Sequence, residues 1–241
     1  MGAVLKVRNL CKSYGKINAL KGIDFEVRKG EIFALIGPNG AGKTTTLRIV
    51  ATLLSPDKGT VELMGYDVRK EPDKIRERIS YLPEEAGAYK NLTGIDYLRF
   101  MASFYARDDK EVEEFIKRGE EIADLGERLK DKVGTYSKGM VRKLLLARAL
   151  MIKPKLAILD EPTSGLDVIN SLEVREIIKR FAKEGVSVLL SSHNMLEIEF
   201  LSDRVSIIDS GRILETGTPQ ELKDKYSSRN LEEVFRRIVV E

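Results

Sequence analysis

The stretch GPNGAGKTT, residues 37–45, combines residue types and a spacing that suit the binding of phosphate groups. It matches G-x-x-x-x-G-K-[ST], in which glycines let the backbone approach closely and several N–H groups converge on one phosphate at a helix N-terminus. Lys43 adds a positive charge for the outer phosphates, and the Thr44 hydroxyl can bind Mg²⁺. The stretch therefore predicts a nucleoside triphosphate site. Its residues are Gly37, Pro38, Asn39, Gly40, Ala41, Gly42, Lys43, Thr44 and Thr45.

A second candidate feature is the acidic pair Asp160 and Glu161, which follows four apolar residues in LAILDEPTSGLD. Adjacent residues on a strand point to opposite faces, but at a strand end the chain can turn so that both carboxylates approach one site. Asp160 would then bind Mg²⁺, and Glu161 would orient and deprotonate an attacking water. The alternative is an acidic helix cap after the strand, which the accompanying phosphate loop disfavours.

The single histidine, His193 in VLLSSHN, also follows an apolar strand pattern. A lone histidine at a strand end is more often structural than catalytic. Spacing alone therefore favours a structural role for His193.

The order of the patterns predicts an α/β protein. LKVRNL and IDFEVRKGE alternate as strands and indicate an antiparallel sheet near the N-terminus. EIFALI, KLAILDEP and VSVLLSSH are short apolar runs followed by helix patterns, which predict a mostly parallel sheet in a P-loop nucleotide-binding core. Residues 93–151 are charge-rich and helical. We therefore predict a core at 1–82 and 152–222, an inserted helical subdomain at 83–151 that carries the YSKGM stretch, and a C-terminal amphipathic helix at 223–241.

Composition limits the kinds of partner. The 41 Lys and Arg against 38 Asp and Glu give a net charge of only +3 with the two signs interleaved, so we expect no nucleic-acid partner. The single cysteine, Cys11, excludes an internal disulfide, and the lack of a leader pattern favours a reducing cytosol. The apolar runs are far shorter than the roughly twenty residues that cross a bilayer. Any link to a membrane would therefore come through another chain.

Five motifs in order resemble the nucleotide-binding subunit of ATP-binding cassette (ABC) transporters over residues 4–222. GPNGAGKTT resembles the Walker A loop, LAILDE the Walker B strand, SGLD the D-loop and SSHN the histidine switch. YSKGM lies where the family signature, commonly LSGGQ, is expected. Lys138 and Met140 depart from that signature, whereas Ser137 and Gly139 are retained. The resemblance implies an ATPase that uses ATP and Mg²⁺.

The resemblance also implies an active site shared between two chains. In the family, the signature helix faces the γ-phosphate of ATP in the opposite subunit. Ser137 can supply a hydroxyl and Gly139 a backbone N–H, and the helix dipole favours the negative charge. One phosphate loop and one signature per chain imply a homodimer, or a pseudo-symmetric heterodimer, around two ATP molecules.

The resemblance assigns further roles residue by residue. Tyr14 in KSYG would stack on adenine, and Asp167 would lie in the D-loop at the dimer seam. His193 would contact the γ-phosphate. With Glu161 and Lys43, His193 completes the implied set of catalytic residues.

Glu84 in YLPEEAGAYKNLT occupies the place of the family's Q-loop glutamine. A carboxylate can bind a metal more strongly than an amide, but it adds negative charge near the γ-phosphate. We expect Glu84 to contact the metal or the attacking water. A solvated loop acid is the alternative.

Aromatic residues concentrate in IDYLRFMASFYA, where two helical stripes lie about a hundred degrees apart. Leu98, Met101, Ala102 and Tyr105 form the first, which we expect to pack inward. Tyr97, Phe100 and Phe104 form the second, which with the loop at 85–91 would make a groove for a helix of a membrane subunit. A helix buried on all sides is the alternative.

The tail NLEEVFRRIVVE predicts an amphipathic helix. Its apolar positions are Leu231, Val234, Phe235, Ile238 and Val239. Docking of this helix on its own domain is favoured over a partner contact.

These observations lead to one function and one main rival. The leading hypothesis is the ATPase subunit of an ABC transporter, most similar to export-type systems for drugs, ions, lipids or polysaccharides, held at the cytoplasmic face of the membrane by integral-membrane permease subunits. The rival is a soluble ABC-type ATPase acting as an assembly or nucleic-acid factor. Such factors usually join two cassettes or insert a long coiled coil, and neither is present. A P-loop kinase would leave the signature and histidine motifs unexplained.

Overall fold

The computed structural model describes residues 2–240. Met1 and Glu241, which the predicted ranges 1–82 and 223–241 include, lie outside the described residues. The strands of the described chain are Ala3–Tyr14 (β1), Ile17–Arg28 (β2), Ile32–Ile36 (β3), Lys58–Leu63 (β4), Tyr66–Asp67 (β5), Ile79–Leu82 (β6), Leu156–Asp160 (β7), Ser187–Ser192 (β8), Arg204–Asp209 (β9) and Arg212–Gly217 (β10).

The helices lie after β3, between later strands and after β10. The α-helices are Lys43–Val50 (α1), Pro72–Arg76 (α2), Gly94–Ala102 (α3), Asp109–Ala123 (α4), Lys138–Leu150 (α5), Val168–Lys183 (α6), Met195–Leu201 (α7), Pro219–Lys225 (α8) and Leu231–Val240 (α9). Short 3-10 helices at Gly126–Lys130 and Val133–Thr135 connect α4 to α5.

The strands form two sheets. The first is antiparallel with the order β2-β1-β4-β5, and the second has the order β10-β9-β3-β8-β7-β6. In the second sheet all neighbours are parallel except β9 and β10. The predicted α/β class, with an antiparallel sheet near the N-terminus and a mostly parallel core sheet, is confirmed.

The central strands β3, β7 and β8 are buried along their whole length. Alternate residues of β3 face two different cores, as the two-residue period of a strand requires. Phe33 and Leu35 pack between the two sheets together with α1. Ala34 and Ile36 pack on the other side, in the core shared with the helical segment. Covering both faces of the sheet leaves its carboxyl edge available for ligand-binding loops.

Between β6 and β7 the chain is helical. Apolar residues of α5, including Leu144, Leu145 and Leu146, are fully buried and join this segment to the core sheet. Asp108 and Ser137 cap the N-termini of α4 and α5 with their side-chain oxygens.

The predicted orientation of the aromatic stripes is partly wrong. Tyr97, expected to face outward, is 2% exposed, whereas Tyr105, expected to pack inward, is 45% exposed. Tyr105 differs because α3 ends at Ala102 and the chain continues as a turn, so helical periodicity does not extend to it. Tyr97 differs because the preceding loop packs on it, with the Tyr89 ring centroid 6.2 Å from its own. Phe100 and Phe104 are exposed as expected.

The C-terminal helix α9 docks on its own domain, as the sequence favours. Leu231 and Val234 are fully buried, and the Leu231 N–H donates to Glu199 Oε2 on α7 at 3.1 Å. Phe235 and Ile238 pack against the main core, while Val239 is exposed. Among the described residues, the helices are all too short or too polar to cross a lipid bilayer.

Candidate active site

The phosphate loop connects β3 to α1 and packs closely against the backbone of β9 and of β2. A Cβ added at Gly37 would lie 2.0 Å from the carbonyl oxygen of Ile208 on β9. Gly42, at φ +110°, leaves no room either, since a Cβ there would lie 2.8 Å from the carbonyl oxygen of Ala19. Glycine is therefore required at both positions, by contact at Gly37 and by contact and conformation at Gly42.

Lys43, the first residue of α1, reaches back into the loop. Its buried ammonium donates to the carbonyl oxygens of Gly37 and Pro38 at 2.8 and 3.1 Å, and it lies 3.7 Å from Glu161 Oε1. Burial lowers the pKa of Lys43, and the charges of Glu161 and Asp160 oppose that shift. The cation is thus held where the outer phosphates of a nucleotide would lie.

Loop residues and two acids surround a cavity of about 140 Å³. Its lining consists of Ala19, Asn39, Gly40, Gly42, Lys43, Thr44, Thr45, Glu84 and Glu161. Two elements distant in sequence from the loop therefore contribute acids to the predicted phosphate site.

Asp160 is the last residue of β7 and lies next to the N-terminus of α1. Its Oδ1 accepts from Thr44 Oγ1 at 3.2 Å and from Ser191 Oγ at 2.5 Å, and its side chain is almost fully buried. Tyr81 O–H donates to Oδ2 at 3.5 Å, and burial together with the Asp160 charge raises the pKa of Tyr81. This network fixes the carboxylate next to the loop hydroxyl.

Glu161 follows at φ +48°, a left-handed conformation that is uncommon outside glycine. Its N–H donates to the Ser191 carbonyl and hydroxyl oxygens, both at 3.2 Å. Its carboxylate is 2.9 Å from His193 Nδ1, so β7 and β8 together place an acid and an imidazole side by side. Glu161 is 5% exposed, which suits a base shielded from bulk water.

Glu84 lies just beyond β6 and lines the same cavity. Its Oε1 accepts from Ser164 Oγ at 3.2 Å, and its backbone carbonyl accepts from Arg142 Nη2 at 3.0 Å. Burial lowers the pKa of Arg142, and the Glu84 charge opposes this. Glu84 therefore connects the phosphate cavity to the helical segment and to the loop after β7.

The signature residues begin α5 and lie apart from this cavity. Ser137 caps α5, its Oγ accepting from the Met140 N–H at 3.2 Å. Gly139 is buried against α6, where an added Cβ would lie 2.0 Å from Asn170 Oδ1. Asp167 caps α6, and its carboxylate accepts from the Asn170 N–H at 2.9 Å.

Tyr14 ends β1 and is 46% exposed, with the Lys12 ammonium 5.8 Å from its ring centroid. It lies on the same β1–β2 hairpin as Ala19, which lines the cavity. The structure thus brings together the loop, Asp160, Glu161, His193 and Glu84. Tyr14, Ser137, Gly139 and Asp167 are not among the residues that line the cavity of their own chain.

Sequence reasoning missed residues that hold the site together: Tyr81, Arg142, Ser164 and Ser191. Ser191 had a detectable signal, because a polar residue near the end of an apolar strand pairs in register with Asp160 on β7. Arg142 gave no such signal, since nothing in the sequence distinguishes a buried arginine from an exposed one in a basic helix.

The residues present fit Mg²⁺. Thr44 Oγ1, Asp160 and Glu84 offer oxygen atoms, the ligands that Mg²⁺ prefers, at the edge of the phosphate cavity. Mg²⁺ usually takes only one or two protein ligands and completes its shell with water and phosphate oxygens. The Thr44 and Asp160 pair matches that arrangement.

Comparisons with known proteins agree with this geometry. The sequence profile of the family described as ABC transporter matches residues 20–164. The chain is 40% identical over 219 residues to the linearmycin resistance ATP-binding protein LnrL of Bacillus subtilis, covering 91% of this chain and 70% of that protein. It is 36% identical over 238 residues to the lantibiotic transport ATP-binding protein SrtF of Streptococcus pyogenes, covering 98% of both.

Solved structures are similar over nearly the whole chain. An ATP-binding subunit of an ABC transporter superposes with a TM-score of 0.86 at 31% identity, covering 98% of this chain and 99% of that chain. A dimeric ATP-binding cassette in a post-hydrolysis state with ADP and Pi superposes with a TM-score of 0.80 at 25% identity, covering 89% of this chain and 98% of that one.

The fold and site define a P-loop ATPase of the cassette class. The chain belongs to the ABC transporter family, and it is an ATP-binding subunit whose reaction is ATP hydrolysis.

Proposed function

We propose that two copies of this chain, or one copy and a close homologue, close around two Mg-ATP and drive export through integral-membrane subunits. The chain is then held at the cytoplasmic face of the membrane by those subunits. Each half of the dimer would supply a phosphate loop for one nucleotide and a signature helix for the other.

One observation carries the two-chain site. The phosphate cavity is lined by the loop, Glu84 and Glu161, whereas Ser137 and Gly139 begin a helix that contacts α6 instead. A capped helix N-terminus with a nearby glycine is suited to an anion, because backbone N–H groups and the helix dipole favour negative charge there. A second copy is the simplest source of a signature helix for the bound nucleotide.

Within the proposed site, Glu161 is the general base. A water attacks the γ-phosphorus, the bond to the β–γ bridging oxygen breaks, and the water proton passes to the Glu161 carboxylate. His193, 2.9 Å from that carboxylate, orients it and reaches the γ-phosphate. Lys43 stabilises charge on the outer phosphates, and Tyr14 stacks on adenine.

Mg²⁺ would be held by Thr44 and Asp160, with Glu84 as a further contact, and it would neutralise charge on the β- and γ-phosphate oxygens. Ser191 keeps the Asp160 carboxylate directed at Thr44 through its 2.5 Å hydrogen bond. Tyr81 donates to the other carboxylate oxygen of Asp160.

A surface for the membrane subunit is formed by Tyr89, Phe100 and Phe104, here named the aromatic ladder. The ring centroids of Tyr89 and Phe100 are 5.6 Å apart, and those of Phe100 and Phe104 are 5.0 Å apart. All three side chains are at least 41% exposed. Contiguous exposed aromatics mark interaction sites, since they bury large apolar area at low entropic cost.

Export is the proposed direction of transport. The relatives include proteins named for linearmycin resistance, daunorubicin/doxorubicin resistance and lantibiotic transport. These names favour an apolar or amphipathic cargo that leaves the cell.

The test uses Glu161→Gln, which keeps the shape of the side chain and removes the base. We expect this variant to bind Mg-ATP without turnover and to elute as a dimer in size-exclusion chromatography, while the nucleotide-free protein elutes as a monomer. Glu184→Gln, an exposed acid at the end of α6, is the matched control and should behave as the wild type. A Glu161→Gln protein that binds Mg-ATP and remains monomeric would contradict the two-chain site.

A further inference from the structure

Arg142, in α5, is buried, and among the described residues one of its three guanidinium nitrogens lacks a hydrogen-bond partner. The side chain is 7% exposed, and Nη2 donates to the Glu84 carbonyl at 3.0 Å. Nη1 is buried, and among the described residues it has no hydrogen-bond partner. Removing a cation from water costs free energy unless an opposite charge or further hydrogen bonds compensate it. The guanidinium therefore needs an anion close by.

The unpartnered nitrogen belongs to a residue that lines a second cavity, of about 350 Å³, next to the phosphate cavity. Its lining consists of Glu84, Glu85, Ala86, Lys138, Val141, Arg142, Leu145 and Ser164. Glu84 is the residue that lines both cavities. Its backbone is already hydrogen-bonded to Arg142, so its carboxylate is the acid whose position Arg142 controls most directly.

The phosphate cavity has an unfavourable balance of charge for its ligand. Glu84, Asp160 and Glu161 face the loop region, where Lys43 supplies the ammonium group. Even with the two positive charges of Mg²⁺, a triphosphate adds net negative charge, and Coulomb repulsion between like charges is stronger inside a protein than in water. Asp160 and Glu161 are each compensated by hydrogen bonds from Thr44, Ser191 or His193. Among the described residues, the hydrogen bond to the Glu84 carboxylate comes from the neutral Ser164 hydroxyl.

We propose that Arg142 is a positioning residue for Glu84: its hydrogen bond holds the backbone of residue 84 at the rim of the phosphate cavity, and its charge offsets that of the carboxylate. An acid can then stand beside bound triphosphate without weakening its binding. This inference rests on the proposed nucleotide cavity and adds a residue on α5 to its supporting network.

The proposal also explains why the helical segment and the loop after β7 both contact Glu84. Arg142 holds the backbone from one side, while Ser164 holds the carboxylate from the other. A shift of α5 would move the compensating charge away from the carboxylate. Nucleotide affinity would therefore depend on the position of the helical segment relative to the phosphate cavity.

The experiment is a double-mutant cycle on the full chain with Arg142→Gln and Glu84→Gln, measuring the Kd of Mg-ATP and of Mg-ADP by isothermal titration calorimetry. Arg142→Gln should weaken Mg-ATP binding about tenfold, a coupling typical of contacting charges, and Mg-ADP binding by less, because ADP lacks the γ-phosphate. Adding Glu84→Gln to Arg142→Gln should restore most of the lost affinity, since the uncompensated charge is gone and the amide oxygen of Gln can still contact Mg²⁺. A purely structural arginine would show no such restoration.

Two further variants keep the test decisive. Arg142→Met replaces a buried charge by apolar volume, which cores tolerate well, and it enters the same cycle if Arg142→Gln does not fold. Arg118→Gln is the matched control, because Arg118 also donates to a backbone carbonyl, that of Met151, away from both cavities. Glu84→Gln should not change the effect of Arg118→Gln.

The outcomes separate the two proposals. A wild-type chain that binds no Mg-ATP would overturn the proposed function and this inference with it. A wild type that binds Mg-ATP, with strictly additive effects of the Arg142 and Glu84 variants, would overturn the role of Arg142 alone.

Discussion

Asp160 and Glu161 are neighbours in the chain, yet both carboxylates reach the phosphate loop. Asp160 Oδ1 accepts from Thr44 Oγ1 at 3.2 Å, and Glu161 Oε1 lies 3.7 Å from Lys43 Nζ. A continuing strand would point the two side chains to opposite faces of the sheet. The φ of +48° at Glu161 breaks that alternation, so one strand end directs two carboxylates towards the phosphate loop.

The contact between Glu161 and His193 predicts a defect in turnover rather than in binding. His193→Ala should lower the ATPase kcat about 10- to 100-fold, because the Glu161 carboxylate loses the ring that orients it. The Kd of Mg-ATP should change much less, since the loop and Lys43 remain. Steady-state ATPase assays and calorimetry check this, and an unchanged kcat would refute the orienting role.

The contact between Gly37 and β9 predicts a strong effect of one methyl group. Gly37→Ala should destabilise the fold by about 3 kcal/mol or more, because the added Cβ would overlap the backbone carbonyl of Ile208. Gly87→Ala, in an open loop position, is the control and should stay within about 0.5 kcal/mol. Chemical denaturation of both variants measures the difference, and equal stabilities would contradict the contact.

The two-chain site predicts that a negative charge at residue 137 blocks dimerisation. Ser137→Asp preserves the cap of α5, since Asp is as good an N-cap as Ser, but it places a carboxylate where the γ-phosphate is expected. In the Glu161→Gln background we expect Mg-ATP to bind without producing the dimer. Ser137→Asn is the matched neutral cap and should retain the dimer in the same chromatographic assay. Equal dimer formation by both caps would argue against the proposed contact.

The aromatic ladder predicts a loss of partner binding without loss of the fold. Replacing Phe100 and Phe104 with Ser should weaken copurification with the membrane subunit, because both rings are exposed and their apolar area is lost to the interface. Nucleotide affinity and unfolding temperature should be nearly unchanged.

Tyr97 supplies the contrast for this experiment. It touches the ladder at Tyr89 but is 2% exposed, so Tyr97→Ser should cost about 3–5 kcal/mol of stability. Large destabilisation by the Phe100 and Phe104 changes would instead indicate that these rings belong to the core.

The cap of α6 predicts a pH-dependent contribution to stability. Hydrogen bonds from Asn170 lower the pKa of Asp167 below its usual 3.8. On acidification the Asp167 carboxylate is therefore protonated in the unfolded chain before it is protonated in the folded protein. The stabilisation from this cap is complete above about pH 3.8, the pKa of the unfolded chain, and is lost as the pH falls through the lower pKa of the folded protein. The stability difference between the wild type and Asp167→Asn, measured by urea unfolding, should shrink over that interval. A constant difference between pH 7 and 2.5 would contradict the shift.

Much of the fold was predictable, because strand and helix patterns are local. The antiparallel sheet, the parallel core and the helical segment follow from short apolar runs and their spacing. The failure at Tyr97 and Tyr105 has a tertiary cause. Periodicity indicates which residues share a face, but the end of α3 at Ala102 and the packing of the loop at Tyr89 decide which faces are covered.

The sequence by itself determined the phosphate loop and the order of the chemical motifs, since a loop between strand and helix takes its shape from consecutive residues. The tertiary structure alone decided how Glu84, Arg142 and Ser164 meet, and that Ser191 holds Asp160. Such contacts join segments tens of residues apart. Their geometry depends on how the sheet and the helical segment pack against each other. Local residue types do not specify that packing.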